Sequence, residues 1–266
     1  MTNKKLYISN TSIHTFLQCR KKFKYKYVDK LNLSEKKPSK YISFGNSMHL
    51  ALADFNSIKD QNLKTLDILH NLLRKNWVRD GYESIQEEKE FGLRGLDMLS
   101  NYYSNPKDTG KDNLIIEKML YKNFNDYTLC GKLDKVYLRN DDTVEILDYK
   151  TGNTITAIDN LQLSIYLILA NKELGYYPKS VSLYYLSSNK KITETVDTEV
   201  FEKSLKNISK ICELILKEKD FDCTPNQYCK SNCEYYKICD IAQDSSLAIL
   251  HSINSFKNNE ISTHIF

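Results

Sequence analysis

The stretch GKLDKVYLRNDDTVEILDYKTG, from Gly131 to Gly152, carries the pattern that decides the fold. Strand-forming residues flank the Asn-Asp-Asp tripeptide at 140–142, and this arrangement predicts an antiparallel hairpin that turns there. Asp134 and Asp148 are equally far from the centre of the turn, so we expect them to lie opposite each other, with Cβ atoms about 4.5–5.5 Å apart. The hairpin therefore predicts a pair of adjacent carboxylates.

Lys150 extends this charged group, because side chains alternate along a strand and Lys150 shares a face with Asp148. Two carboxylates on a half-buried face repel each other and raise a pKa unless a cation lies between them. A divalent ion such as Mg²⁺ prefers oxygen ligands, keeps several waters and can supply a water nucleophile to phosphorus. Lys150 would then stabilise that water or the charge on the phosphate. On the hairpin alone, a surface hairpin with ordinary salt bridges is an equally good interpretation.

The rest of the chain predicts a mixed α/β fold. Residues 9 to about 105 carry apolar side chains mostly at helical spacing. The expected strands are 114–124, 127–138, 143–151, 180–186 and 192–196, and the expected later helices are 157–174 and 200–217. Helices, then strands, then a helix and further strands indicate an α/β or α+β domain.

The composition sets broad limits on function. The 266-residue chain has a net charge of +4, which permits nucleic-acid binding without arguing for it. It has neither a signal-peptide-like start nor an apolar run of about 18 residues, so we expect a cytoplasmic protein with no membrane segment. Seven cysteines, four of them between Cys223 and Cys239, favour metal or iron–sulfur ligation over disulfides in a reducing compartment.

Five separated motifs occur in order along the chain. They are Ser9-x-x-Ser12 with Phe16, Cys19, Phe23 and Tyr25; Gly45-x-x-x-His49; Gly131-Lys-Leu-Asp134; Asp148-Tyr-Lys150-Thr-Gly152; and Gln162-x-x-x-Tyr166. In this order they resemble the PD-(D/E)xK nuclease superfamily, in its RecB-like branch with a C-terminal iron–sulfur cysteine cluster. That branch includes CRISPR-associated adaptation exonucleases and the AddB-type nuclease domain. The resemblance implies a restriction-endonuclease-like fold, with a mixed central β-sheet flanked by helices, an N-terminal helical region and a C-terminal cysteine-rich segment.

The resemblance also implies a set of site residues. The catalytic residues would be Asp134, Asp148, Lys150, Gln162 and Tyr166, and the metal ligands would be His49, Asp134, Asp148 and the carbonyl oxygen of Tyr149. The metal would be one or two Mg²⁺ or Mn²⁺ ions. By itself, His49 would more often be a structural histidine. Some relatives carry an acidic residue at the place of Glu117, but we interpret Glu117 as a solvated strand position.

The cysteine-rich segment resembles the C-terminal triplet of the iron–sulfur members. Cys229, Cys233 and Cys239 would be joined by Cys19 from the first helix, and four thiolates suit a [4Fe–4S] cluster. Such a cluster would tie the start of the chain to its end. Three residues separate Cys229 from Cys233, where two are commoner, so Cys223 is an alternative ligand. A structural zinc ion held by four cysteines is an alternative chemistry.

We therefore expect a metal-dependent DNA nuclease. The resemblance favours an exonuclease that acts on single-stranded DNA or DNA ends in recombination, repair or CRISPR adaptation. The alternative is a non-catalytic iron–sulfur DNA-binding or scaffold protein of the same fold, against which the intact Asp134, Asp148 and Lys150 argue. The expected partners are DNA and a separate helicase or CRISPR integrase chain, while the oligomeric state stays open.

The expected organisation is one nuclease domain over residues 1–266. Its parts would be a mainly helical region (1–110), a catalytic sheet and helix (111–200), a helix with the cysteine cluster (201–243) and a tail (244–266). The tail after Asp244 is expected to form a short helix.

Overall fold

A computed structural model describes residues 5–31 and 37–239, and the expected tail helix lies outside these residues. The described chain forms two compact units. The larger unit contains residues 37–122 and 130–204, and the smaller one contains residues 5–31, 123–129 and 205–239. The expectation of a single nuclease domain over residues 1–266 stays a prediction.

The order of elements is that of a mixed α/β protein. The strands are β1 (Leu6–Ile8), β2 (Asp112–Asn123), β3 (Tyr127–Leu138), β4 (Val144–Lys150), β5 (Ser180–Tyr185) and β6 (Lys190–Thr195). The helices are α1 (Asn10–Gln18), α2 (Arg20–Phe23), α3 (Lys40–Ser57), α4 (Leu66–Lys75), α5 (Ile85–Ser104), α6 (Asn160–Leu174), α7 (Thr198–Lys217) and α8 (Cys229–Asn232). Single helical turns of other types lie at Lys24–Val28, Gln61–Leu63 and Tyr236–Ile238. The predicted strands and later helices are confirmed, each to within about three residues.

The sheet of the larger unit has the mixed topology that the sequence predicts. Strands β3, β4, β5 and β6 are neighbours in that order, and β2 also pairs with β3. The β3–β4 and β5–β6 pairs are antiparallel, whereas β4 and β5 are parallel and are connected through α6. Every residue of β4 from Val144 to Tyr149 is buried, so both faces of this strand are covered. The hairpin is therefore more deeply buried than the half-exposed one that we expected.

One face of the sheet packs against the helices that precede it in the chain. Tyr137, Leu147 and Tyr149 belong to a core that also contains buried side chains of α3, α4 and α5. On β3, Gly131 allows α6 to approach closely, because a Cβ atom there would lie 3.0 Å from Leu169 Cδ1. These contacts hold the hairpin in a fixed place between helices.

The smaller unit is organised around α1 and the start of β3. Strand β1 pairs in parallel with residues 127–129 of β3. Ser9 and Ser12 form a capping box that begins α1, and the buried Phe23 lies between the rings of Phe16 and Tyr27 at centroid distances of 5.3 and 5.1 Å. The first motif of the sequence is therefore used for capping and packing. None of the helices within the described ranges has the length and hydrophobicity needed to cross a bilayer.

Candidate active site

The hairpin places Asp134 and Asp148 opposite each other, as the sequence predicts. The β3–β4 register runs from Leu138–Val144 to Lys135–Leu147, and one more step pairs Asp134 with Asp148. Asp134 and Asp148 are nearly buried, with 9% and 4% of their surface exposed. Because the paired register stops one step earlier, these two residues lie where the strands begin to separate. Contacts other than the backbone ladder must therefore hold them in position.

Asp134 is held from two directions. Its Oδ2 atom accepts a hydrogen bond of 2.8 Å from the backbone N–H of Tyr149 and lies 3.1 Å from Nδ1 of His49. His49 lies on α3, one turn after Gly45, so the Gly-x-x-x-His motif reaches the hairpin. Burial opposes protonation of His49, but the charges of Asp134, Asp148 and Glu117 outweigh it and raise the pKa of His49 to about 9.

Asp148 is held through both of its carboxylate oxygens. Its Oδ1 atom accepts a hydrogen bond of 3.0 Å from the hydroxyl group of Tyr166. Its Oδ2 atom forms an ion pair with Nζ of Lys150 at 2.6 Å. Burial and the neighbouring Asp134 raise the pKa of Asp148, while Lys150 opposes that shift. A further cation beside this oxygen would favour the ionised carboxylate.

Helix α6 brings two more predicted residues to the hairpin. Gln162 Nε2 donates to Tyr166 Oη at 2.9 Å and to Asp148 Oδ1 at 3.4 Å. Gln162 Oε1 accepts from Nζ of Lys150 at 3.4 Å. Gln162 and Tyr166 lie four residues apart and therefore share a helix face. The structure thus brings both residues into contact with Asp148 and brings Gln162 into contact with Lys150.

The backbone N–H and the side-chain hydroxyl group of Tyr149 bind different residues, on different sides of β4. In a strand, the N–H and C=O groups of one residue point to the same side. Since the N–H of Tyr149 binds Asp134, its carbonyl oxygen lies on that side too. Its hydroxyl group is buried on the opposite face, where it donates to Asp108. Only the main chain of Tyr149 therefore faces the two carboxylates.

Glu117 corrects the sequence interpretation, because it is not a solvated strand position. Its side chain is 13% exposed and forms an ion pair with Lys132. Its carboxylate, Nδ1 or Nε2 of His49 and a carboxylate oxygen of Asp134 all lie within 4.8 Å of one another. Glu117 has a φ of +45° in the interior of β2, a left-handed conformation that re-aims a side chain as β-bulges do. No sequence pattern marks such a backbone irregularity, so only the family resemblance pointed to a site role for Glu117, as the less favoured interpretation.

Together these groups form a set of donors suited to a divalent cation. His49, Glu117 and Asp134 offer ligand atoms within 4.8 Å of one another, while Asp148 lies opposite Asp134 and forms an ion pair with Lys150. Mg²⁺ and Mn²⁺ prefer carboxylate and carbonyl oxygen, and imidazole also binds transition metals. The buried Asp148 Oδ2 atom, which pairs with Lys150, would gain a further favourable contact from such an ion.

A second group, of thiols, lies in the smaller unit. Cys19, Cys223, Cys229, Cys233 and Cys239 line one cavity of about 130 Å³. The Sγ atoms of Cys223 and Cys239 are 3.6 Å apart, and a hydrogen bond from Cys223 lowers the pKa of Cys19 to about 5. The structure therefore brings the four predicted cysteines together and adds Cys223, the alternative ligand.

Comparisons with known proteins agree with this fold. The sequence profile of the PD-(D/E)XK nuclease superfamily matches residues 7–240. The CRISPR-associated exonuclease Cas4 of Francisella tularensis subsp. novicida (strain U112) is 26% identical over 171 residues, which are 61% of this chain and 78% of that protein. A crystal structure from Eubacterium rectale, named provisionally as an exonuclease, is similar in fold, with a TM-score of 0.52, 12% identity, and coverage of 90% of this chain and 88% of that chain. Since the profile spans both the hairpin and the thiols, the chain belongs to the PD-(D/E)XK nuclease superfamily.

Proposed function

We propose that the protein is a metal-dependent DNA nuclease whose active site is the open end of the β3–β4 hairpin. The observation that carries this proposal is the meeting of Asp134, Asp148 and Lys150, with His49 beside them, in one buried group. A structural ion pair would not need two opposed buried carboxylates beside one lysine. A metal site needs such a surplus of negative oxygen atoms.

The metal ligands would be His49, Asp134, Asp148 and the carbonyl oxygen of Tyr149, and we add Glu117 to this predicted set. When bound, one or two Mg²⁺ or Mn²⁺ ions would lower the pKa of a coordinated water and neutralise charge on the phosphate. Neutral His49 is required for ligation, so metal binding would release its proton.

The remaining residues would position and stabilise the reacting groups. Lys150 would orient the attacking water or stabilise the charge that develops on the phosphate oxygens. Gln162 holds Lys150 through Oε1, and Tyr166 holds Asp148 through its hydroxyl group. Fixing the orientation of a ligand and a cation in this way is what residues around a metal site do.

The proposed substrate is DNA, cut from an end or as a single strand. The superfamily consists of nucleases, and the Francisella relative is named an exonuclease associated with CRISPR. We therefore propose a role in recombination, repair or CRISPR adaptation, with a separate helicase or integrase chain as partner.

The thiol cavity would hold a [4Fe–4S] cluster, with Cys19, Cys229, Cys233 and Cys239 as the proposed ligands. Four thiolates around one zinc ion, at about 2.3 Å each, would lie about 3.8 Å from one another. The Sγ atoms of Cys223 and Cys239, 3.6 Å apart, lie near that separation, so zinc stays the alternative chemistry. Five cysteines around a cavity of about 130 Å³ could supply the four thiolates that a cluster needs.

A cleavage assay tests the nuclease proposal. End-labelled single- and double-stranded DNA would be incubated with Mn²⁺ or with chelator, using wild type, Asp148→Ala and Asp97→Asn. Asp97 is an exposed carboxylate on α5 and serves as the matched control. We expect metal-dependent cleavage by wild type and Asp97→Asn, and loss of at least about a hundredfold in Asp148→Ala. Cleavage by Asp148→Ala at the wild-type rate would show that this is not the active site, and DNA binding without cleavage by wild type would favour the scaffold alternative.

Iron and sulfide analysis of anaerobically purified protein tests the cluster proposal. We expect about four irons and four sulfides per chain in wild type, and loss of both in Cys233→Ser. Zinc in place of iron would overturn the cluster and favour the alternative chemistry.

A further inference from the structure

A buried ion pair lies on the face of the hairpin opposite the metal site. Lys135 follows Asp134 and therefore points to the other face of β3. Its Nζ atom donates three hydrogen bonds, of 2.7 Å to Asp108 Oδ2, 2.9 Å to the carbonyl oxygen of Asp108 and 2.8 Å to Asn56 Oδ1. Lys135 is 3% exposed and Asp108 is 2% exposed. All three donor positions of the ammonium are thus satisfied inside the protein.

Two tyrosines complete this group by donating hydrogen bonds to Asp108. Asp108 Oδ2 accepts hydrogen bonds from the hydroxyl groups of Tyr149, at 2.5 Å, and Tyr102, at 3.1 Å. Asn56 Nδ2 also donates to the hydroxyl group of Tyr149 at 3.2 Å. Asp108, Lys135, Asn56, Tyr102 and Tyr149 therefore form one connected polar network, which we call the rear network.

The rear network joins three of the four elements that carry the proposed metal ligands, namely α3, β3 and β4. Lys135 is the neighbour of Asp134 on β3, and Tyr149 lies between Asp148 and Lys150 on β4. Asn56 lies two helical turns after His49 on α3, so both side chains point toward the hairpin from the same helix face. Each of these elements thus contributes to the site and also provides a residue of the network, which is either adjacent in sequence or on the same helix face.

Stability alone does not account for the network. Burying two charges costs several kcal/mol of desolvation, and apolar replacements of similar volume are often no less stable. A satisfied polar network instead fixes one arrangement of the elements that it joins. Such fixing is needed at this end of the hairpin, because the paired register ends at Lys135–Leu147.

We propose that the rear network is a positioning device, which holds β3, β4 and α3 at the separation that the metal site requires. The Tyr149 hydroxyl group is its link to the site, because the same residue donates its N–H to Asp134 on the other face. This inference rests on the proposed nuclease function. It assigns Tyr149, Asp108 and Lys135 as positioning residues that act through Asp134 and Asp148.

The test compares Tyr149→Phe with Tyr184→Phe. Tyr184 is paired with Tyr149 across β4 and β5, is equally buried, and donates its hydroxyl hydrogen bond to Asn189 outside the network. Each variant loses one hydroxyl group and keeps its ring, so both should fold, with the larger loss in melting temperature in Tyr149→Phe, whose hydroxyl group is buried and has two partners. Mn²⁺ affinity would be measured by calorimetry on metal-free full-length protein, and kcat and KM on DNA would be measured separately.

We expect Tyr149→Phe to bind Mn²⁺ about tenfold or more weakly and to lose kcat with little change in KM for DNA. Tyr184→Phe should keep Mn²⁺ affinity within about twofold of wild type. If wild type binds Mn²⁺ and cleaves DNA but Tyr149→Phe matches it, or if both variants lose affinity equally, the positioning role is wrong and the nuclease function stands. If wild type neither binds Mn²⁺ nor cleaves DNA, the proposed function fails, and this inference fails with it.

Discussion

The proton on His49 gives the most quantitative prediction, which concerns the pH dependence of metal binding. The carboxylates around His49 raise its pKa to about 9, so in the metal-free protein it is protonated at neutral pH and loses its proton as the pH rises through about 9. Only neutral imidazole binds a metal. Binding of Mn²⁺ below pH 9 must therefore displace this proton, and its apparent affinity must rise with pH.

The size of the effect follows from the pKa. At pH 7, two pH units below it, displacement costs about 2.7 kcal/mol, since each unit corresponds to about 1.36 kcal/mol. We therefore expect the affinity for Mn²⁺ to rise about fiftyfold between pH 7 and pH 9, where half of His49 is still protonated, and about a hundredfold in all before it levels off above pH 9. In His49→Gln, which has no titrating imidazole there, binding should be weaker and its pH dependence much flatter.

Calorimetry at several pH values, in buffers of different ionisation enthalpy, would measure both the affinity and the number of protons released. Wild type should release close to one proton per Mn²⁺ at pH 7 through His49. If wild-type affinity is flat from pH 7 to pH 9, or if His49→Gln shows the same slope as wild type, His49 is not a ligand and the reasoning fails.

Three further substitutions follow from the same geometry. Lys150→Met should lower kcat about a hundredfold or more while Mn²⁺ still binds, because Lys150 contributes charge and is not a ligand; equal loss of metal binding in calorimetry would contradict this role. Glu117→Gln should weaken Mn²⁺ binding about tenfold. Glu173, which forms an ion pair with a side chain that is 36% exposed, is the control, and Glu173→Gln should leave the affinity unchanged. Identical affinities in the two variants would mean that Glu117 has a structural role only. Gly131→Val should cost about 1–3 kcal/mol in urea unfolding, because its Cβ atom would lie 3.0 Å from a side chain of α6. Gly152→Ala, with no atom within 4 Å of the added Cβ, is the control, and equal losses in both would show that α6 does not pack as described.

Much of the site could be predicted because its key residues are close in sequence. Asp134 and Asp148 are symmetric about a recognisable turn, so the antiparallel register follows from counting alone, and the observed pairing confirms it. Lys150 follows from the alternation of side chains along β4. Site roles for Gln162 and Tyr166 were predicted only from the family resemblance, because the spacing of residues along a helix does not indicate which strand the helix will pack against.

Other features depended on tertiary structure that the sequence does not show. Glu117 enters the site through a left-handed backbone conformation within β2, and residue patterns do not encode such an irregularity. The two carboxylates were expected on a half-buried face of the hairpin, yet β4 is buried on both faces, because burial depends on packing partners far along the chain. Asp108 and Lys135 read as ordinary charged residues, and only the fold shows that they are paired and buried.

The central claim is that His49, Asp134 and Asp148 surround one position for a divalent ion, with Lys150 beside it. An anomalous difference map from crystals soaked in Mn²⁺ tests this most directly, because it locates the ion without reference to activity. We predict a peak at the open end of the β3–β4 hairpin, within about 2.0–2.4 Å of carboxylate oxygens of Asp134 and Asp148. Fully occupied Mn²⁺ elsewhere, with no peak between these carboxylates, would contradict the account.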